Sequence, residues 1–381
     1  MSDTPFVLAG VPADNPVLYH RAQFLVGDSA VYIGLPGGES VLFVRDIEME
    51  RARKIARADR IVCAADFVPE GGLSGDRDTA IAQAAGEFLG REGFTQVRAD
   101  RSLPLIYAHH LRLAGVAVEY DAELGVRQRR AKEDHEIDYL RECQTFTCQV
   151  MQIACERVAG ATADADGILI HDGQPLTSDG MRRWITAFCV DHGYATPHDS
   201  IVVTLPQVAD CHHKGEGPLR TGDPVIVDIF PRNESTRYWG DCTRTVVHGD
   251  VSEEVARMHA AVCEAKAAGV EVLKPATMGE AIHAEIVEVL RGRGFGFTRG
   301  SSDSEIPAMR HGSGHGIGLE VHEPILLDEG ADTIVDREVF TVEPGLYSAV
   351  HGGVRVEDMV LATPAGGEIL GGMHEGLDWR S

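Results

Sequence analysis

The 381-residue chain is short of positive charge. Its 35 Lys and Arg stand against 59 Asp and Glu, a net charge of −24. Nucleic-acid binding needs a basic face to displace counterions, and adhesion to an anionic membrane needs charge of the same sign. Neither partner is expected. No apolar run is long enough to span a bilayer. The start, Met1-Ser2-Asp3-Thr4-Pro5-Phe6, lacks the basic and apolar stretches of an export signal. The eight cysteines (Cys63, Cys143, Cys148, Cys155, Cys189, Cys211, Cys242 and Cys263) include no CxxC pair. A disulfide framework or structural zinc site fits this poorly; reduced, mostly buried thiols in a cytoplasmic protein fit better. There the sequon Asn233-Glu234-Ser235 carries no meaning for glycosylation. Several motifs are also missing. GxGxxG fails because Ile317 stands where the third glycine belongs, and GxSxG, Walker A and HExxH are absent.

What is present is ordinary globular material, 44% hydrophobic and 25% charged. The length suits two domains. We expect a smaller N-terminal α/β domain over about 1–128 and a larger domain over about 129–381. In the first, Val31–Leu35 and Ser40–Val44 read as strands around Pro36-Gly37-Gly38. Ile47–Ala58 and Ala80–Arg91 read as helices. The cluster Arg127-Gln128-Arg129-Arg130, followed by Glu133-Asp134, marks the boundary. Helices are then expected over Lys132–Val158, Asp179–Cys189, after the capping Ser252, and over Glu280–Arg291. Strands are expected over Ile201–Leu205, Pro224–Phe230, Cys242–His248, Val339–Tyr347 and Val354–Ala362. Arg291–Ser304, rich in Gly, Ser and Arg, reads as a mobile loop.

Acidic residues are common here, so the informative ones are those that interrupt apolar strands. Asp228 sits within Val225-Ile226-Val227-Asp228-Ile229-Phe230, and Asp241 opens Asp241-Cys242-Thr243-Arg244-Thr245. A lone carboxylate is costly to bury as an ion, and two close ones repel unless a proton or cation lies between them. The pattern recurs with Glu343 and Glu357, 14 residues apart across a second expected hairpin. Between the two pairs lies His311-Gly312-Ser313-Gly314-His315-Gly316-Ile317-Gly318-Leu319-Glu320-Val321-His322-Glu323. Four carboxylates and an imidazole form a hard, oxygen-rich set. It suits two divalent metal ions bridged by shared carboxylates, Mn²⁺ before Co²⁺ or Zn²⁺.

These motifs, with Val342-Glu343-Pro344-Gly345 and Val354-Arg355-Val356-Glu357-Asp358, resemble the pita-bread metallopeptidases. Within them the chain is similar to the proline-specific branch, the Xaa-Pro aminopeptidases and prolidases (Xaa-Pro dipeptidases). The resemblance implies an α+β fold: a curved antiparallel sheet backed by helices, preceded by a creatinase-type N-terminal domain. By resemblance Asp228 would chelate one metal, Asp241 and Glu357 would bridge both, and His315 and Glu343 would complete the second. Glu343 would also shuttle a proton. His322 would stabilise the tetrahedral intermediate or orient the substrate. His311 matches a further histidine, and an upstream one is expected at His212 in preference to His213. Arg355 argues for the proline-specific branch and would pair with a ligand carboxylate or a substrate carboxylate, whereas Arg244 reads as structural. The implied substrate is a proline-containing peptide cleaved before proline, and a homodimer is expected. The Asp228–Asp241 spacing exceeds the family's by two residues, lengthening the turn that carries Tyr238 and Trp239; Trp239 reads as packing.

Two rivals follow from the same resemblance. The fold also hosts a creatine hydrolase and a metal-dependent lyase, and it occurs in binding proteins without activity. All five ligand positions are filled here, which disfavours both the creatine-hydrolase and the inert reading. Stoichiometric metal binding would separate an enzyme from an inert module.

Overall fold

The computed structural model describes residues 4–299 and 305–380. The chain divides into two compact units, Met1–Arg129 and Arg130–Ser381. Residues 1–3 of the start, and 300–304 of the stretch read as a mobile loop, lie outside the described residues.

The first unit is a six-stranded mixed sheet. Its order is Arg60–Val62, Ser40–Phe43, Ala30–Gly34, Phe6–Gly10, Gln96–Ala99, Ala117–Tyr120. Strand alternation loads both faces. Val7, Val31, Ile33, Val41 and Phe43 pack under the helices Arg77–Arg91 and Leu105–Leu113. Leu8, Tyr32, Leu42 and Val44 face Pro16–Ala22 and Met49–Ile55. The helix expected from Ile47 starts later, because Asp46–Glu48 forms a 3-10 turn first.

In the second unit the expected elements form with shifted ends. Helices run over Asp134–Ala159, Ser178–Asp191, Glu253–Val272 and Gly279–Gly292. Ser252 caps the third, its side chain accepting from the Val255 N–H. The sheet is split into three main pieces. One orders Ile201–Val203, Pro224–Ile229 and Cys242–Val247, all antiparallel. A four-stranded piece contains Gly345–Ser348 and Gly352–Arg355, and a five-stranded piece contains His315–Gly316, Val339–Val342 and Asp358–Thr363. A Thr243–Glu357 bridge links the first piece to the C-terminal strands. Gly296–Phe297, inside the stretch read as loop, is a short strand parallel to Ala308–Met309.

The second expected hairpin differs from its reading. Val339–Tyr347 is two strands, broken at Glu343-Pro344, and Val354–Ala362 is two strands, broken at Val356-Glu357. Val339–Val342 pairs with Asp358–Thr363, whereas Gly345–Ser348 pairs with Gly352–Arg355. Pro344 has no N–H to donate, so the ladder breaks there and the chain changes sheets. Both glutamates therefore sit at the crossing points rather than mid-strand.

Alternation then sorts chemistry from core. Phe340, Val342, Val354 and Val356 enter the core beneath the helices Glu253–Val272 and Gly279–Gly292, with Met258, Ile282 and Ile286. Their neighbours Glu343, Arg355 and Glu357 line a cleft on the other face. No described helix is long and apolar enough to cross a membrane. All eight cysteines are free thiols.

Candidate metal centre

A cleft of about 480 Å³ in the second unit gathers all nine residues singled out above. Asp228, Asp241, His315, Glu343 and Glu357 line it together with His212, His311, His322 and Arg355. His213 does not; its Nδ1 accepts the Gly215 N–H at 3.0 Å.

Asp241, His315 and Glu357 each offer an atom within 4.8 Å of the others, close enough to share a cation. His315 Nε2 lies 3.8 Å from Asp241 Oδ2 and 3.7 Å from Glu343 Oε1. Its Nδ1–H donates to Gly316 O at 3.1 Å, which leaves Nε2 bare toward the acids. Burial, reinforced by His322, pushes the His315 imidazole down to about 3, so it is neutral at physiological pH. Gly314 is required just before it. A Cβ there would lie 1.9 Å from Thr341 O, and its φ is +157°. That close approach lets the His315 N–H reach Thr341 Oγ1 at 3.1 Å.

The acids are strained by one another. Burial first, then Glu357, Asp228 and Glu343, raise the Asp241 carboxyl well above the usual range. Burial, Glu343 and Asp228 do the same to Glu357. Burial, with Asp228, pushes Glu343 up to about 7 against the pull of Arg355. Neighbours hold the geometry. Thr243 Oγ1 donates to Glu357 Oε2 at 2.6 Å. Gln144, mid-helix, clamps the Asp241 backbone through both amide atoms, at 2.8 and 2.9 Å. Arg355 settles on a protein carboxylate: its Nη2 lies 2.6 Å from Asp228 Oδ2 in a buried pair. Asp228 Oδ1 is buried and has no hydrogen-bond partner among the described residues. An unpaired carboxylate oxygen beside three other crowded acids is the donor set of a hard divalent cation, so the residues fit the two-metal expectation.

His311 is engaged at both nitrogens. Nδ1–H donates to Gly312 O, and Nε2 accepts the Tyr347 hydroxyl proton, each at 2.7 Å. Tyr347 in turn accepts from Arg355 Nη1 at 2.8 Å. Burial and the Arg355 cation push His311 down to about 3. Tyr347, Thr243 and Gln144 were not anticipated. Alternation could have found two of them, since the expected strand Val339–Tyr347 puts Tyr347 in step with Glu343, and Thr243 is in step with Asp241. Gln144 gives no signal in a helical pattern. Trp239 is buried and packs flat on His198, as a packing residue should. Arg244 is fully buried against Asp358, also structural.

The crowded acids, the bare imidazole and the sheet that holds them define a metal-dependent hydrolase of pita-bread architecture. Residues 139–364, more than half of the chain, match metallopeptidase family M24, and the chain belongs to that family. It is 28% identical over 351 residues to a Mycobacterium bovis protein named "Probable dipeptidase PepE", covering 91% of this chain and 84% of that protein. It is 33% identical over 153 residues, 40% of each chain, to the Xaa-Pro dipeptidase of Pyrococcus furiosus. Its fold is similar to that of the X-Pro aminopeptidase of Thermotoga maritima, with a TM-score of 0.79 and 19% identity over 98% of this chain and 96% of that one.

Proposed function

We propose that this metallopeptidase hydrolyses the peptide bond preceding proline, as an Xaa-Pro aminopeptidase or dipeptidase. The observation that carries the reading is the buried set of four carboxylates and one bare imidazole, with Asp228 Oδ1 unpaired among the described residues. Asp228, Asp241, His315, Glu343 and Glu357 would hold two divalent ions. Bound there, the ions would supply Lewis acidity toward the scissile carbonyl and a water acidic enough to ionise near neutral pH. Glu343 would take the proton released by the attacking water and deliver it to the prolyl nitrogen as the C–N bond breaks. His322, on the cleft wall, would donate a hydrogen bond to the oxyanion of the tetrahedral intermediate. Arg355 donates from Nη2 to Asp228 Oδ2 and would hold that carboxylate aimed at the metal. Ile201, Phe230 and Val321 give the cleft an apolar wall that suits a prolyl ring, which lacks an N–H.

The same reading takes Mn²⁺ as the native metal, since carboxylates outnumber the imidazole four to one. It takes the first unit as a creatinase-type domain of residues 1–128 and the second, 129–381, as the catalytic domain. It also takes the protein as a cytoplasmic homodimer; eight unpaired cysteines support a reducing compartment. The test is Mn²⁺-dependent release of the first amino acid from Xaa-Pro, Xaa-Pro-Yaa and Xaa-Ala-Yaa. Cleavage of the first alone makes it a dipeptidase, and cleavage of the second an aminopeptidase. Equal turnover of the alanine peptide would refute proline specificity.

A further inference from the structure

The lengthened turn between Asp228 and Asp241 ends in Trp239, which none of the chemistry above uses. Its backbone N–H donates to Gly318 O and its indole Nε1–H donates to Leu319 O, each at 3.1 Å. The same short segment is held by Glu323. Glu323 Oε1 accepts the Leu319 N–H at 2.9 Å, and Oε2 receives the Lys132 ammonium at 2.6 Å. That ion pair is 2% and 3% exposed. Gly318 makes room for it, because a Cβ there would lie 2.5 Å from Lys132 Nζ and 2.8 Å from both Glu323 oxygens.

Gly318–Glu323 carries Val321 and His322 into the cleft. The His322 imidazole makes no hydrogen bond among the described residues. Its ring contact is edge-on to His315, with centroids 4.3 Å apart and planes at 81°. A side chain without a partner of its own is placed by its backbone. Here three hydrogen bonds and a buried ion pair from Trp239, Lys132 and Glu323 fasten Gly318 and Leu319, just ahead of His322, and the Gly318 N–H also donates to Glu320 O. We infer that Trp239 and the Lys132–Glu323 pair are positioning residues that set where His322 meets the reacting carbonyl. The inference rests on the peptidase reading, in which His322 contacts the oxyanion. Displacing such a donor by about 1 Å is enough to lower turnover severely.

The test is a double-mutant cycle. Trp239→Phe keeps a ring against His198 and removes the Nε1–H donor together with part of the indole surface. Glu323→Gln keeps an oxygen for the Leu319 N–H and removes the ion pair; it is the second variant should Trp239→Phe fail to fold. Each is expected to lower kcat about tenfold, with KM and bound metal unchanged, and His322→Ala to lower it about a hundredfold. In the His322→Ala background neither change should lower kcat further. A further tenfold loss in that background would overturn the inference while leaving the peptidase reading intact. Wild-type kcat in both positioning variants would overturn it as well. Wild-type kcat in His322→Ala would overturn the inference together with the role given to His322.

Discussion

Removing the metals should leave protons in their place. In the metal-free centre His315 is neutral, so it holds no proton that an arriving cation must displace. The acids do hold protons. With Glu343 pushed up to about 7, its carboxyl carries roughly three quarters of a proton at pH 6.5. Asp241 and Glu357 are both raised well above the usual carboxylate range, chiefly by burial and by the other acids. A cation binds the ionised forms. Loading at pH 6.5 should therefore release protons, the Glu343 share at the least. Each released proton makes the apparent binding constant rise about tenfold per pH unit, so affinity falls steeply as the solution is acidified. Calorimetric titration of chelator-treated protein with Mn²⁺, in two buffers of different ionisation enthalpy, counts these protons. The count should decline toward pH 8.5 as Glu343 ionises by itself. Loading at pH 6.5 with no proton release would refute the picture of mutually repelling acids.

Other consequences follow from single contacts. Arg244→Met leaves the buried Asp358 carboxylate with Lys266 and takes the guanidinium donors from the Glu357 and His374 carbonyls. We expect a stability loss of about 3 kcal/mol or more, read as a fall in thermal midpoint. Tyr347→Phe removes the hydroxyl that joins His311 to Arg355, at a cost of about 1–2 kcal/mol. It should lower turnover while two metals remain bound, which elemental analysis and kinetics together would check. Gly314→Ala drives a methyl group against Thr341 O and must shift His315, so the folded protein should bind less than two metals per chain. Full metal content in that variant would contradict the close approach described here.

Much of this centre is legible from strand alternation, because period two puts every second residue on one face. The run Val354-Arg355-Val356-Glu357 announces its own division into core and cleft, and the fold keeps it. What alternation cannot show is where a strand leaves one sheet for another. Pro344 marks one break by its missing N–H, but which strands pair on either side of it, and the break at Glu357, depend on which partner strand offers unpaired backbone groups, and that is a tertiary property. The turn after Asp228 is similar. Arg232–Asn233 forms a short strand because Tyr194–Ala195 lies beside it. Contacts between distant residues were also hidden. Arg355 carried two readings in the sequence, and only the fold brings it to Asp228, 127 residues away. Lys132 and Glu323, 191 residues apart, gave no sign of pairing.

Titrating activity against metal shows whether the cleft works as a two-metal peptidase. Chelator-treated protein should be inactive toward an Xaa-Pro substrate. Stepwise addition of Mn²⁺ should restore cleavage until about two equivalents per chain are bound, and Asp241→Ala should not recover. Full activity in chelator, or two bound metals without cleavage of any Xaa-Pro substrate, would contradict it.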